Sequence, residues 1–194
     1  MKIILASKSP RRKKILQRFN LAFKVIDSKF DESIVSKMTD PHNYCSIMAS
    51  MKADSVSKQF RDELIIGADT IVVINKTIIE KPKDKSDAFR ILKKLSGTSH
   101  SVLTGVCLKS IKHKINRTFI QQTKVVFRNL EDNEINFYID NHNPYDKAGS
   151  YGIQDASSVF VKHIEGCYDN VVGLPLSKLN QELKKLNINL LETI

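Results

Sequence analysis

The stretch LIIGADTIVVI, Leu64–Ile74, is the most apolar run in the chain, yet an aspartate sits near its middle. A continuous run of this kind suits a strand. Gly67-Ala68-Asp69-Thr70 breaks it. A carboxylate amid buried strands is costly unless it is paired or bound to a metal. Asp69 therefore has two readings: a turn aspartate capping a local bend, or an acid kept in the interior for chemistry.

The neighbouring segments alternate in kind. Beyond the run, residues 77–79 read as a short strand, and Asn75-Lys76 suits the hairpin between them. Upstream, residues 2–6 form a short apolar run suited to a buried strand. Ile15, Leu16 and Phe19 then follow at helical spacing, with Lys13, Lys14 and Arg18 turned outward. Residues 21–26 read as another strand and residues 27–40 as a polar stretch. Pro41 opens a longer helix with Tyr44, Ile47, Met48 and Met51 on one face. Downstream, Ala88, Ile91, Leu92 and Leu95 mark a helix ending near Gly97. Strands are expected over 99–108 and 117–127, a helix over 132–139, a loop rich in Pro, Gly and Asn, a strand over 159–164 and a last helix over 174–186. This interleaving predicts an α/β or α+β domain built on a mixed sheet. With neither linker nor internal repeat, a single domain over 1–194 is expected.

The net charge of +10 admits polyanionic partners: nucleic acid, anionic membrane or phosphorylated small molecules. No tract of like charge is long enough for a nucleic-acid arm, and aromatics are not interleaved with the basic residues. Cys45, Cys107 and Cys167 are far apart and contain no C-x-x-C, which argues against a disulfide framework or zinc site and for a reducing cytosol. The apolar N-terminal run is too short for a signal peptide, and no segment is long enough to cross a bilayer.

Residues 5–16, LASKSPRRKKIL, crowd cations onto a helix start. Ser9 is a favoured N-cap and Pro10 a favoured first residue, which puts Arg11 and Arg12 in the first turn. That end of a helix is already positive. Either this is a solvated basic helix end, or guanidinium groups and free amides together attract an anion. Lys81-Pro82 places a cation close in sequence to Asp69, Asp31-Glu32 puts two carboxylates on a polar loop, and Lys52 lies on the Pro41 helix. In residues 146–154, DKAGSYGIQ, glycines allow close backbone approach to a ligand and Gln154 can pair a base edge. Neither of the common glycine-rich nucleotide loops is present. His100 has no metal-spaced partner and reads as a hydrogen-bonded strand residue.

Taken in order, LASKSPRRKKIL, GADTIVV, Lys81-Pro82, LSGTSHSVLTGV, DKAGSYGIQ and NVVGLPL resemble the Maf family of nucleoside triphosphate pyrophosphatases, from residue 5 to residue 176. The resemblance implies a two-lobed α/β fold around a central cleft, related to inosine triphosphate pyrophosphatases. It implies hydrolysis between the α and β phosphates with a divalent cation (Mg2+, Mn2+ or Co2+), in a cytoplasmic and often dimeric enzyme. Asp69 matches the family's general base, and Arg11, Thr70 and Gln154 its specificity positions. Ser7, Arg12, Lys52 and Lys81 match further active-site residues, and Glu32, with Asp69, the metal-side acids. KAGSYGIQ is similar to the subgroup preferring dTTP and UTP. Two positions depart from the pattern: Ile47 stands where an arginine is usual, and Asp155 where a glycine usually follows the glutamine. The nucleotide is the expected partner, without stable nucleic acid or membrane binding. The competing expectation is a non-catalytic basic regulator of septum formation that binds nucleotides or nucleic acid. Such a binder has no use for an acid inside an apolar strand.

Overall fold

The Leu64–Ile74 run is one unbroken strand, β3, so Asp69 belongs to a strand and not to a bend. The computed structural model describes residues 1–35 and 40–193; residues 36–39 of the expected polar stretch, and residue 194, lie outside that description. Besides β3, the strands are β1 (Ile3–Ala6), β2 (Phe23–Ile26), β4 (Thr77–Ile79), β5 (Ser99–Ser110), β6 (Ile115–Phe127) and β7 (Val161–Glu165). The helices are α1 (Pro10–Leu16), α2 (Pro41–Ser57), α3 (Lys85–Leu95), α4 (Asp132–Asn141), α5 (Tyr168–Val172) and α6 (Leu176–Lys184). The strands form a seven-stranded sheet in the order β2-β1-β3-β5-β6-β7, with β4 also on β3. β2, β1 and β3 run parallel, whereas β4, β5, β6 and β7 pair antiparallel to their neighbours. The expected mixed sheet is borne out.

Pairing along β3 creates the site. β1 pairs with residues 64–67 and β4 with residues 72–74 of the same edge. Between them, residues 68–71 are paired only on the β5 side. The hydrophobic core divides at the same place. On one face of β3, Leu64, Ile66 and Ala68 pack with α1 and α6, while Val72 and Ile74 pack with α3 and α4. On the other, Ile65 packs with Ala49 and Ala53 of α2, and Ile71 and Val73 pack with Tyr44 and Met48. Since alternate side chains of a strand point to opposite faces, Asp69 and Thr70 stand at the two seams.

Several local expectations shift. The turn between β3 and β4 holds Asn75 and Lys76 at φ 49° and 63°, the left-handed pair that lets a two-residue hairpin follow the strand twist. The buried face of α2 differs from the expected one. Ile47 is 41% exposed, whereas Cys45, Ala49, Lys52 and Ala53 are buried with Tyr44 and Met48. The cause is close packing on two glycines. A Cβ at Gly67 would lie 2.4 Å from the Ala49 carbonyl oxygen and 2.7 Å from the Ala53 nitrogen; at Gly105 it would lie 2.5 Å from the Cys45 carbonyl oxygen. Small residues must occupy that contact, so bulk does not mark the inner face. Near the C-terminus, the strand expected from residue 159 starts at Val161 after a 3₁₀ segment, Ala156–Phe160. Helix α5, only five residues long, gives no periodic signal and was not expected from the sequence.

His100 is a core residue, as expected. Its Nε2 lies 2.7 Å from the Tyr151 hydroxyl, and its ring packs edge-on against Phe127 and Tyr151. Burial lowers its pKa from 6.5 to about 4. The unfolded chain therefore takes up this proton first, and stability is lost as pH falls from about 6.5 toward 4. Over that window His100 contributes a loss of about 3 kcal/mol. Urea unfolding at pH 7 and pH 4.5 should show a drop in stability that is smaller by roughly this amount in His100→Phe. An equal drop in both proteins would remove His100 as the cause.

Candidate active site

The gap in the β3 edge opens into a cleft of about 650 Å³. Its lining includes Ser7, Arg11, Arg12, Glu32, Lys52, Asp69, Thr70, Lys81 and Gln154, so every site residue expected from the sequence faces one cavity. Ser7 and Gln154, 147 positions apart in the chain, both reach it because β1 stops at Ala6 and β3 continues.

Asp69 and Lys52 form its inner floor. Each is 8% exposed, and Lys52 Nζ donates to Asp69 Oδ1 over 2.6 Å. Glu32 Oε1 lies 2.7 Å from the same ammonium. Glu32 comes from a single 3₁₀ turn, Glu32–Ile34, capped by Asp31, whose Oδ1 accepts from the Ser33 amide and hydroxyl. Asp31 thus shapes the turn, and Glu32 faces the cleft. A buried ion pair is held at a desolvation cost and is weak evidence of stabilisation in itself. The close α2 packing over Gly67 brings Lys52 within reach of Asp69. Behind them, burial and the Asp69 charge push the Cys45 thiol up to about 12, so it remains protonated. Burial and the charges of Asp69, Glu32 and Glu80 likewise push Tyr44 up to about 12.

The opposite wall carries Arg12. It is 9% exposed, and its three bonds go to neutral oxygens: Nε to the Gly173 carbonyl at 2.8 Å, Nη1 to Ser7 Oγ at 3.1 Å and Nη2 to Thr70 Oγ1 at 2.9 Å. Burial lowers its pKa, and the nearby Asp69 charge opposes that. Neutral partners orient a guanidinium without cancelling its charge, and three of its five N–H groups are then used. Arg11 instead crosses the cleft mouth to Asp146, Nη1 to Oδ2 at 2.9 Å. The crowded cations of α1 are therefore dispersed by tertiary contacts. Helix α1 is only seven residues long, and Ser9 caps it by accepting from the Arg12 amide.

Lys81 and Gln154 lie on the exposed rim. Sequence reasoning assigned no role to Asp146, Lys147 or Gly173, which also line the cleft. Lys147 Nζ donates to the Asn143 carbonyl at 2.6 Å and lies 3.0 Å from Asp146 and 3.4 Å from Asp155. The signal was present for all three, inside DKAGSYGIQ and NVVGLPL, but their partners are distant in sequence. Of the two departures, Asp155 meets Lys147 at the cleft wall, whereas Ile47 does not line the cleft.

Glu32 and Asp69 converge on one lysine ammonium, so both face a point that already favours positive charge. Among the described residues no cluster of three or more His, Cys, Asp or Glu could hold a metal. Two hard carboxylates suit a divalent ion that also takes phosphate oxygens, the usual manner for magnesium.

The family model of Maf-like proteins matches residues 2–186. The dTTP/UTP pyrophosphatase of Ruminiclostridium cellulolyticum is 45% identical over 185 residues, covering 95% of this chain and 96% of that protein. A protein of the same name from Thermosipho africanus is 49% identical over 179 residues, covering 92% and 90%. Among solved structures, a HAM1 protein from Coxiella burnetii superposes with a TM-score of 0.50 at 14% identity, covering 95% of this chain and 99% of that one, a likeness of fold. No helix among the described residues is long and apolar enough to cross a membrane.

Proposed function

From the premise that this chain belongs to the Maf family, we propose that it hydrolyses pyrimidine nucleoside triphosphates, dTTP and UTP above all, to the monophosphate and pyrophosphate. The observation that carries this reading is the buried Asp69–Lys52 pair sharing one cleft with the buried Arg12. A protein that merely bound polyanions would gain nothing from an interior acid. The activity named for its relatives supports the same reading.

In this mechanism Asp69 orients a water molecule and accepts its proton as the water oxygen attacks the α-phosphorus. The bond from that phosphorus to the bridging oxygen breaks, and pyrophosphate departs with the electron pair. Lys52 fixes the Asp69 carboxylate in one orientation. Arg12, Lys81 and Arg11, the last released from Asp146, surround the phosphate chain and offset its growing charge. Ser7 positions Arg12. Thr70 and Gln154 line the same cleft and, with Arg11, discriminate among bases. A divalent cation held by Glu32 and Asp69 would neutralise phosphate oxygens. The reading extends to a cytoplasmic homodimer that cleans the nucleotide pool and acts in division arrest.

The test is pyrophosphate release from a panel of nucleotides, with Mg2+ and with chelator. Release from dTTP and UTP, dependent on the metal, is expected. Binding of dTTP without any release would favour the non-catalytic regulator instead.

A further inference from the structure

The proposed phosphate-facing cation Arg12 does not end its hydrogen-bond chain at Thr70. Thr70 Oγ1 lies 3.0 Å from Thr104 Oγ1, and Thr104 Oγ1 in turn donates to the Asn170 carbonyl at 3.0 Å. Thr104 and Asn170 are both fully buried, on β5 and α5. A hydroxyl carries one proton. With the Thr104 proton committed to the Asn170 carbonyl, Thr104 faces Thr70 as an acceptor. Of its two acceptors, Thr104 Oγ1 at 3.0 Å and the Gly173 carbonyl at 3.4 Å, Thr70 donates to the nearer, Thr104, and presents a lone pair to Arg12 Nη2. The order Arg12 to Thr70 to Thr104 to Asn170 thus runs in one direction.

Helix α5 closes the arrangement from the other side. Its C-cap Gly173 offers the carbonyl that accepts from Arg12 Nε. The Asn170 side chain anchors that helix, donating through Nδ2 to the Val102 carbonyl and to Thr123 Oγ1, each at 3.0 Å. One five-residue helix therefore holds the guanidinium at two points, directly through Gly173 and indirectly through Thr104 and Thr70. None of these groups is charged, so the brace aligns Arg12 while leaving its charge for a ligand.

We propose that Thr104, anchored by Asn170, is a positioning residue that sets the direction of the Thr70 hydroxyl and thereby holds the Arg12 guanidinium toward the phosphate chain. This rests on the reading of the cleft as a triphosphate site. Two features make the role separable from packing: Thr104 does not line the cleft, and its hydroxyl alone carries the effect. Thr104→Val keeps the shape and removes the hydroxyl, whereas Thr104→Ser keeps the hydroxyl and removes the methyl.

The experiment measures binding of inorganic tripolyphosphate by calorimetry, and KM and kcat for dTTP, in the full-length protein. Thr104→Val is expected to weaken tripolyphosphate binding and raise KM by about tenfold, the scale of one buried hydrogen bond, and to lower kcat as well, because Arg12 also offsets the charge that grows on the phosphate chain. Thr104→Ser should match the wild type, and Thr104→Val should add nothing in an Arg12→Ala background. Should the valine variant melt early, Thr104→Ala compared with Thr104→Ser reads the same quantity. Equal losses in the serine and valine variants would overturn the proposal, since packing would then explain both. So would wild-type binding by Thr104→Val while Arg12→Ala loses it. Undiminished tripolyphosphate binding by Arg12→Ala would overturn both this inference and the triphosphate reading of the cleft, and so distinguishes the two failures.

Discussion

Replacing Asp69 with asparagine is expected to slow dTTP and UTP hydrolysis by about a hundredfold or more, the range for losing a general base starting at that figure. The substitution is nearly isosteric, and the amide oxygen can still accept from Lys52 at the 2.6 Å position. What it removes is the ability to take a proton from water and one negative charge beside the phosphate chain. Those two losses act differently. Turnover falls, while affinity for a non-hydrolysable nucleotide, measured with chelator so that no divalent cation bridges it to the acids, is unchanged or tighter because a repulsive charge is gone. A fall in kcat without a rise in KM thus marks Asp69 as acting in the reaction step. Steady-state assays of pyrophosphate release, beside calorimetric binding of an α,β-imido nucleotide, provide both quantities. A near-wild-type rate would assign the base elsewhere.

The second large effect is expected far from any proton transfer, at Gly67. Valine there would place a Cβ 2.4 Å from the Ala49 carbonyl oxygen and 2.9 Å from the Ala53 Cβ. Neither contact is the tip of a flexible side chain, so α2 as a whole must lift from β3. Overpacking of this kind costs about 1–3 kcal/mol or more. For a chain of this size that lowers the melting temperature by roughly 2–12 °C. Lifting α2 also draws Lys52 away from Asp69 and Glu32, since both contacts run from α2 to groups outside it. A displacement of about 1 Å at a catalytic group can cost a hundredfold in rate. Gly67→Val should therefore be impaired in both melting temperature and kcat. A variant that melted early yet retained full turnover at low temperature would separate the packing from the geometry of the pair.

Both predictions depend on the same feature, an acid placed where two pieces of core meet. β3 is apolar before and after residues 67–70, and the clusters on each of its faces change over there. Where a sheet loses a neighbour on one edge, its backbone and side chains face an opening. The cleft is therefore a consequence of short strands: β1 has four residues and β4 three, against eleven in β3.

Apart from the short helix α5, the order of strands and helices was legible in the chain because hydrophobic periodicity is local, and so was the chemistry of the candidate residues. LIIGADTIVVI marked both the central strand and its acid, and SPRR marked a capped helix start. Three things were not legible. The inner face of α2 depended on glycines in two distant strands, so Ile47 and Ala49 exchanged the places that bulk would assign them. Arg12 and Arg11, adjacent and alike in sequence, took different fates: one buried among neutral oxygens, the other joined to Asp146 at the mouth. The tie between Arg12 and α5 spans 161 positions and involves a backbone carbonyl, a group every residue possesses. By itself the sequence determined which segments would be strands or helices and which side chains could carry phosphate chemistry, because both follow from short-range pattern and residue type. Only the tertiary structure decided which of those side chains face one another and how each is oriented, because desolvation and close approach depend on partners that the chain order does not bring together.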